Sequence, residues 1–130
     1  GAYGGMGKAT AEALARSGYR IFALDRTVGA GSDDIIPIEA DLTDESSVTA
    51  AYVKVCELTD SLYAIIHFAG IYMLDSLVEM EKESFRRIFD INLYGVYLIN
   101  KTFLIYGIQE RNLSILPILL DSKFPMFRLS

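Results

Sequence analysis

Gly1-Ala2-Tyr3-Gly4-Gly5-Met6-Gly7 opens the chain and runs straight into the helix-forming stretch from Lys8 to Ser17. Eighteen residues beyond Gly7, Asp25 closes the apolar run Ile21-Phe22-Ala23-Leu24. Glycines let a backbone approach a pyrophosphate closely, the amides at the start of the following helix can face the phosphates, and an acid ending the next strand can hold ribose hydroxyls. The arrangement therefore reads as a dinucleotide site. A strand is expected ahead of such a loop, and no residues stand there, so the first strand is expected to be missing.

Outward from the loop, helix formers dominate Lys8 to Ser17, with Ala9 and Ala13 expected on a small apolar face, Glu12 and Arg16 on a polar one, and Gly18 as a left-handed stop. Ile21 to Leu24 reads as a short strand buried on both faces, and Gly29 to Asp34 as a loop. Ile35 to Ala40 is a second strand, which Pro37 places near a sheet edge. Thr43 is read as the cap of a helix carrying Asp44 and Glu45 in its first turn and ending near Asp60, with Val48, Ala51, Tyr52 and Val55 on its buried face. Leu62 to Phe68 has the length and apolarity of a buried parallel strand.

After the mixed segment Ile71 to Val78, Glu79 to Glu83 leads into a long helix in which Phe85, Ile88, Phe89, Asn92, Val96, Ile99 and Phe103 share one stripe. Asn92 is the odd member. A carboxamide among large apolar groups needs its hydrogen bonds met, through either a structural role or a site role. Gly95 would let this helix pack closely. Strands alternating with helices of this size give a doubly wound parallel sheet, an α/β fold. Residues 1–104 are read as one partial dinucleotide-binding domain and 105–130 as a divergent tail, in which Pro117 inside the apolar run disfavours a central strand.

Of the 130 residues 52% are hydrophobic and 22% charged, ordinary for a globular domain. A net charge of -5, with 12 scattered Lys and Arg, argues against a nucleic-acid surface. No apolar run approaches the roughly 18 residues of a membrane span, and the start lacks a signal-peptide pattern. No membrane partner and no metal site are expected, and a cytoplasmic location is. Cys56, the single cysteine, excludes an internal disulfide and is read as a buried structural thiol.

Gly1-xxx-Gly5-x-Gly7, Asp25 after a strand, Asp41-Leu42-Thr43-Asp44, His67-Phe68-Ala69-Gly70 after a strand and Asn92-Leu93-Tyr94-Gly95 within a helix occur in one order. Together, over about four fifths of the chain, they resemble the short-chain dehydrogenase/reductase family. The resemblance implies a Rossmann-like domain, an NAD or NADP cofactor, and hydride exchange with a small-molecule alcohol or carbonyl substrate, commonly in a homo-oligomer. It implies that Gly1, Gly5 and Gly7, with Met6 between them, form the pyrophosphate loop. Asp25, followed by Arg26, would bind the adenosine ribose, or else be a solvated strand end. Asp41 and Leu42 would flank the adenine, unless Asp41 merely opens a helix. Ala69 and Gly70 would line the cofactor, and Asn92 would support a proton relay as the catalytic residue present. Where the family commonly has Asn-Asn, His67-Phe68 stands here, and His67 is read as structural. An acid at Asp25 accepts hydrogen bonds from a free 2'-hydroxyl and repels a 2'-phosphate, and Gly4 stands where NADP-preferring relatives often carry a basic residue. NAD is expected over NADP, with Arg26 as the counterargument.

The resemblance also calls for a serine and a Tyr-x-x-x-Lys pair, in which the lysine lowers the tyrosine pKa. Only Tyr97-x-x-x-Lys101 has the spacing, and it lies in the Asn92 helix, out of order for that role. Neither Ser114 nor Ser122 lies in a convincing strand context. The chain is accordingly expected to be a cofactor-binding fragment, inactive alone and of doubtful independent stability. Two alternatives stand beside this reading. Gly1-xx-Gly4-xx-Gly7 also fits a nucleotide-sugar epimerase or dehydratase, and the missing pair suits a non-catalytic dinucleotide-binding module.

Overall fold

Gly18 takes φ 86°, a left-handed conformation that ends the first helix and turns the chain into its first strand. The computed structural model in which this is seen describes residues 1–74, 76–105 and 114–116. The helix, α1, spans Gly5–Arg16, and the strand, β1, spans Ile21–Asp25. α1 starts three residues earlier than its helix formers suggest, because Gly4 already has the extended backbone of a cap. Its buried residues are Gly7 and Ala11, whereas Ala9 and Ala13 are exposed. The expected small face is therefore wrong by half a turn, since the glycine loop fixes which side of the helix meets the sheet.

β2, Ile35–Glu39, pairs in parallel with β1, Ile21 opposite Ile35 through Asp25 opposite Glu39. The Ile21 N–H donates to the Asp34 carbonyl at 2.8 Å and the Ala40 N–H to that of Asp25 at 2.9 Å. Alternation then turns the backbone of Ile36 and Ile38 toward β1 and that of Pro37 outward. Pro37 costs the ladder no bond, and β2 is an edge of its two-stranded sheet, as its proline implies. Burial on both faces of β1 is only partial: Ala23 is buried and its neighbours are half-buried.

α2, Glu45–Cys56, is capped by Asp44, whose carboxylate accepts the Ser46 N–H at 2.8 Å. Thr43 bonds to Asp41 instead, through both N–H and hydroxyl, so the expected cap is one residue out. The helix also stops short of Asp60. Val48, Ala51 and Val55 are buried and Tyr52 packs partly against them, as the spacing predicts. Cys56 is exposed, one residue past that face, so it is not the buried thiol its helical pattern suggests.

β3, Ala64–Ile66, is shorter than the run from Leu62 to Phe68. The long helix is broken into α3, Lys82–Phe89, a π-helical turn at Asp90–Tyr94, and α4, Gly95–Ile105. The wider turn shifts the phase of the apolar stripe. Phe85 and Phe89 are therefore exposed, while Leu98, outside the expected stripe, is fully buried beside Ile99 and Phe103. Asn92 sits in the π turn and is exposed, not enclosed by apolar groups. β4, Ser114–Leu116, pairs in parallel with β3, so Ser114 does lie in a strand, contrary to expectation. Pairing with β3, which no local pattern announces, outweighs the nearby proline. Ser122 lies outside the described residues.

The main core joins Ile38 and Ala40, Val48, Ala51 and Val55 of α2, and Leu98, Ile99 and Phe103 of α4. Phe22, Leu24, Ile36 and Leu42 pack against it from the sheet side. Parallel strands joined through helices make the fold a Rossmann-like α/β layout, with loops gathered at the carboxyl ends of the strands.

Candidate active site

Gly1 and Gly7 are glycines because the backbone folds onto itself there. A Cβ on Gly1 would overlap the backbone of Phe68 and Ala69, and one on Gly7 would overlap the Gly1 carbonyl. Gly5 has nothing within 4 Å of such a Cβ. The loop is thus tight against the protein at its two ends and open at Gly5, where α1 begins with no acid in its first turn. Exposed amides at a helix start and open space beside a glycine suit a pyrophosphate. Met6 is exposed in that first turn.

Asp25 closes β1 against this loop. Its Oδ2 accepts the Tyr3 N–H at 2.8 Å and lies 3.5 Å from the Gly1 ammonium, and its Oδ1 accepts the Thr27 N–H at 3.4 Å. Burial alone would raise the carboxyl pKa, but the Tyr3 amide, the ammonium and the Thr27 and Arg26 amides outweigh it and hold it below the ordinary value. Asp25 is therefore ionised at neutral pH and is more than a solvated strand end, since it ties the glycine loop to the sheet. Arg26, next to it, is exposed.

Asp41 follows β2. Its Oδ1 accepts the Thr43 hydroxyl at 2.7 Å and the Thr43 N–H at 2.9 Å, and these bonds lower its pKa, with Arg26 adding in the same sense. The Ser47 hydroxyl accepts the Asp41 N–H at 2.9 Å. Leu42 lies under Gly95, where an added Cβ would come within 2.9 Å of the Leu42 Cβ. The close packing expected of Gly95 is made to this residue.

Asn92 meets the segment after β3. Its Oδ1 accepts the Ile71 N–H and its Nδ2 donates to the Ile71 carbonyl, both at 2.8 Å. A Cβ on Gly70 would stand 3.3 Å from Asn92 Oδ1. The π turn presents this carboxamide to Gly70 and Ile71, while Ala69 touches Gly1. Gly1, Asp25, Ala69, Gly70 and Asn92 are thus brought to one connected rim.

Tyr97 and Lys101 do not join it: Lys101 Nζ lies 3.2 Å from Glu45 Oε1 on α2, and Tyr97 is exposed. His67 is half-buried, its Nε2 3.0 Å from Asn100 Oδ1 on α4. Burial pulls its pKa down, Asn100 opposes this, and the Gly1 ammonium adds to it. The partners Tyr3, Thr43 and Ser47 carry no sequence signal except the Asp41-x-Thr43 spacing, which is that of a local side-chain turn.

The model of the short chain dehydrogenase family matches residues 1–118, and the chain belongs to that family. The short-chain dehydrogenase anuI of Penicillium roqueforti is 33% identical over 116 residues, covering 80% of this chain and 46% of the relative. The NADPH-dependent 1-acyldihydroxyacetone phosphate reductase of Schizosaccharomyces pombe is 30% identical over 105 residues, covering 77% and 36%. Among solved structures, the ligand-free aldohexose dehydrogenase of Thermoplasma acidophilum superposes with a TM-score of 0.80 at 30% identity, covering 88% of this chain and 45% of that one. The chain spans less than half the length of these proteins. No described helix is long and apolar enough to cross a membrane.

Proposed function

We propose that the chain forms the cofactor-binding half of an oxidoreductase that exchanges hydride between NAD and a small-molecule alcohol or carbonyl compound. The observation that carries this reading is Asp25, ionised at the end of β1 and bonded to the loop that runs from Gly1 to Gly7. Bound NAD would supply the hydride acceptor or donor. The loop amides and the start of α1 would hold its pyrophosphate, with Gly5 giving the approach and Met6 flanking it. Asp25 would accept the ribose hydroxyls, Asp41 and Leu42 would border the adenine, and Ala69 and Gly70 would line the path toward the nicotinamide. Asn92 would hold the Gly70–Ile71 backbone in place and anchor a water chain that carries protons to solvent. A cytoplasmic location fits this chemistry.

The preference for NAD rests on charge. A carboxylate held ionised beside the ribose favours a free 2'-hydroxyl and repels a 2'-phosphate, and Arg26 is the residue that opposes it. Kinship does not decide the point, since one similar structure is a complex with NADH and another holds NADP. The test is titration with NADH and with NADPH, read by nicotinamide fluorescence. NADH is expected to bind at least about tenfold tighter, equivalent to about 1.4 kcal/mol. Asp25→Asn keeps an acceptor for the Tyr3 N–H and removes the charge, so it should erase most of that preference. Tighter binding of NADPH by the unsubstituted chain would reverse the assignment. Binding is expected without turnover of simple alcohols, because Lys101 lies in a surface ion pair with Glu45 and Tyr97 is exposed beside it, away from the rim. Turnover by this chain would overturn the fragment reading.

A further inference from the structure

Tyr3 is the one aromatic residue of the glycine loop, half-buried although the three residues after it are exposed. Behind the loop a cleft of about 330 Å³ runs between the β1–β2 and β3–β4 pairs, lined by Gly1, Ala2 and Gly7 but not by Tyr3. The ring lies instead against the loop that joins β1 to β2. A Cβ on Gly29 would stand 2.7 Å from Tyr3 Cδ1 and 2.8 Å from Cε1, and the phenol hydroxyl donates to the Ala30 carbonyl at 3.4 Å. Among the described glycines only Gly18 has a positive φ, so Gly29 lacks a side chain for the sake of the ring and not of its own backbone. The far end of the same loop is tied to β2. There the Ser32 N–H donates to the Ile35 carbonyl at 2.9 Å, and a Cβ on Gly31 would come within 2.6 Å of Pro37 Cδ. The loop is thus braced on Tyr3 at one end and on β2 at the other.

Asp25 completes the arrangement. It accepts the Tyr3 N–H at 2.8 Å and the Thr27 N–H at 3.4 Å, so Asp25, Thr27, the Gly29–Ala30 backbone and Tyr3 form a collar around one carboxylate. Burial, and then the Asp25 charge, raise the phenol pKa above its ordinary value, so the ring lies within that carboxylate's field and its hydroxyl stays a neutral donor. A ribose hydroxyl at Asp25 needs room for one oxygen. A 2'-phosphate adds a phosphorus, three oxygens and a charge of about −2. The nearby cation, Arg26, already acts on Asp41, whose pKa it helps to lower. We propose, building on the NAD reading of this site, that Tyr3 is a specificity-determining residue. Its ring, braced by Gly29 and Ala30, walls the ground beside Asp25 and refuses a 2'-phosphate for want of space, as Asp25 refuses it by charge.

The test is titration of the whole 130-residue chain and its variants with NADH and with NADPH, read by nicotinamide fluorescence as the ratio of the two Kd values. A loss of folded protein, or of affinity common to both nucleotides, cancels in that ratio. Tyr3→Ala removes the wall and should shrink the preference for NADH about threefold, chiefly by tightening NADPH binding. Tyr3→Leu keeps part of the contact with Gly29 and should fall between, while Tyr3→Phe keeps the ring and should leave the ratio unchanged. In Asp25→Asn, where the charge is gone, adding Tyr3→Ala should erase the preference that is left. An unchanged ratio in Tyr3→Ala, or an equal fall in Tyr3→Phe, overturns the proposal while NADH still binds, so the cofactor reading survives it. Failure of the unsubstituted chain to bind NADH, or tighter binding of NADPH, fells the NAD reading and this one together.

Discussion

The two faces of the β1–β2 sheet are filled very differently. On one, Val48 and Leu98 are fully buried among Ile38, Val55, Ile99 and Phe103, so that α2 and α4 close on the sheet with large side chains. On the other, Ala23 meets a helix whose buried residues are Gly7 and Ala11, and Leu14 only lines the cleft. Large apolar side chains contribute about 1.5–3 kcal/mol each when buried, so the α2–α4 layer supplies most of the stability. Small residues on the α1 side allow backbone to approach backbone, which a glycine loop requires and which leaves little apolar area to bury. The face that carries the candidate site is thus the weakly packed one.

Truncation should expose this difference most. Leu98→Ala is expected to destabilise the chain by about 2–5 kcal/mol, since the surrounding side chains cannot fully collapse into the cavity. Leu14→Ala, at the half-open cleft, should cost less than half as much. Urea midpoints of the two variants measure the contrast, and equal losses would mean that the α1 layer carries as much stability as the core.

Glycines test the same contrast by addition. Gly95→Ala forces a Cβ to within 2.9 Å of the Leu42 Cβ and should cost about 1–3 kcal/mol. Gly5→Ala meets nothing and lies in the first helical turn, so it should be neutral or stabilising by up to about 1 kcal/mol while weakening NADH binding. Thermal unfolding and NADH titration of both variants would separate a glycine needed for packing from one needed for a ligand. Asn92→Ala removes both bonds to Ile71 and should cost about 1 kcal/mol, with faster amide exchange confined to Ile71 and its neighbours.

The difference between the faces also explains what could be read from the sequence. β1, β2 and the buried stripe of α2 follow local periodicity, and the glycine loop with Asp25 follows from backbone chemistry, so all were legible. The buried side of α1 was not, because it is chosen by the loop's contact with Ala69 and not by the helix pattern. The π turn was hidden too: one extra residue in a turn leaves composition unchanged yet moves Leu98 inside and Phe85 and Phe89 outside. β4 depends on a partner strand far away in sequence, and Asn92 on a backbone 21 residues earlier. At the candidate site, residue types were legible, but the bonds that aim them were not.

The smallest effect expected concerns pH, and it belongs to the cleft, because Tyr52, packed against the α2–α4 core cluster, has its pKa raised from 10.0 and stays neutral in this range. His67 lines the cleft with its pKa held below the ordinary value, chiefly by burial. As pH falls through about 6.5 the unfolded chain takes up the proton first. Stability is therefore full above that pH and declines toward the folded-state pKa, below which the loss levels off. Asp25 and Asp41, whose pKa values are also lowered, add losses of the same sign only near and below their ordinary value of 3.8. Between pH 7.5 and 5 the fall in Tm should thus come from His67 and from the Gly1 ammonium, whose pKa burial also lowers. His67→Gln keeps a partner for Asn100 without a titrating ring, and its Tm should fall distinctly less over this range, with only the Gly1 contribution left. A parallel fall in both proteins would place the pH-sensitive group elsewhere and remove the link between the open face and acid sensitivity.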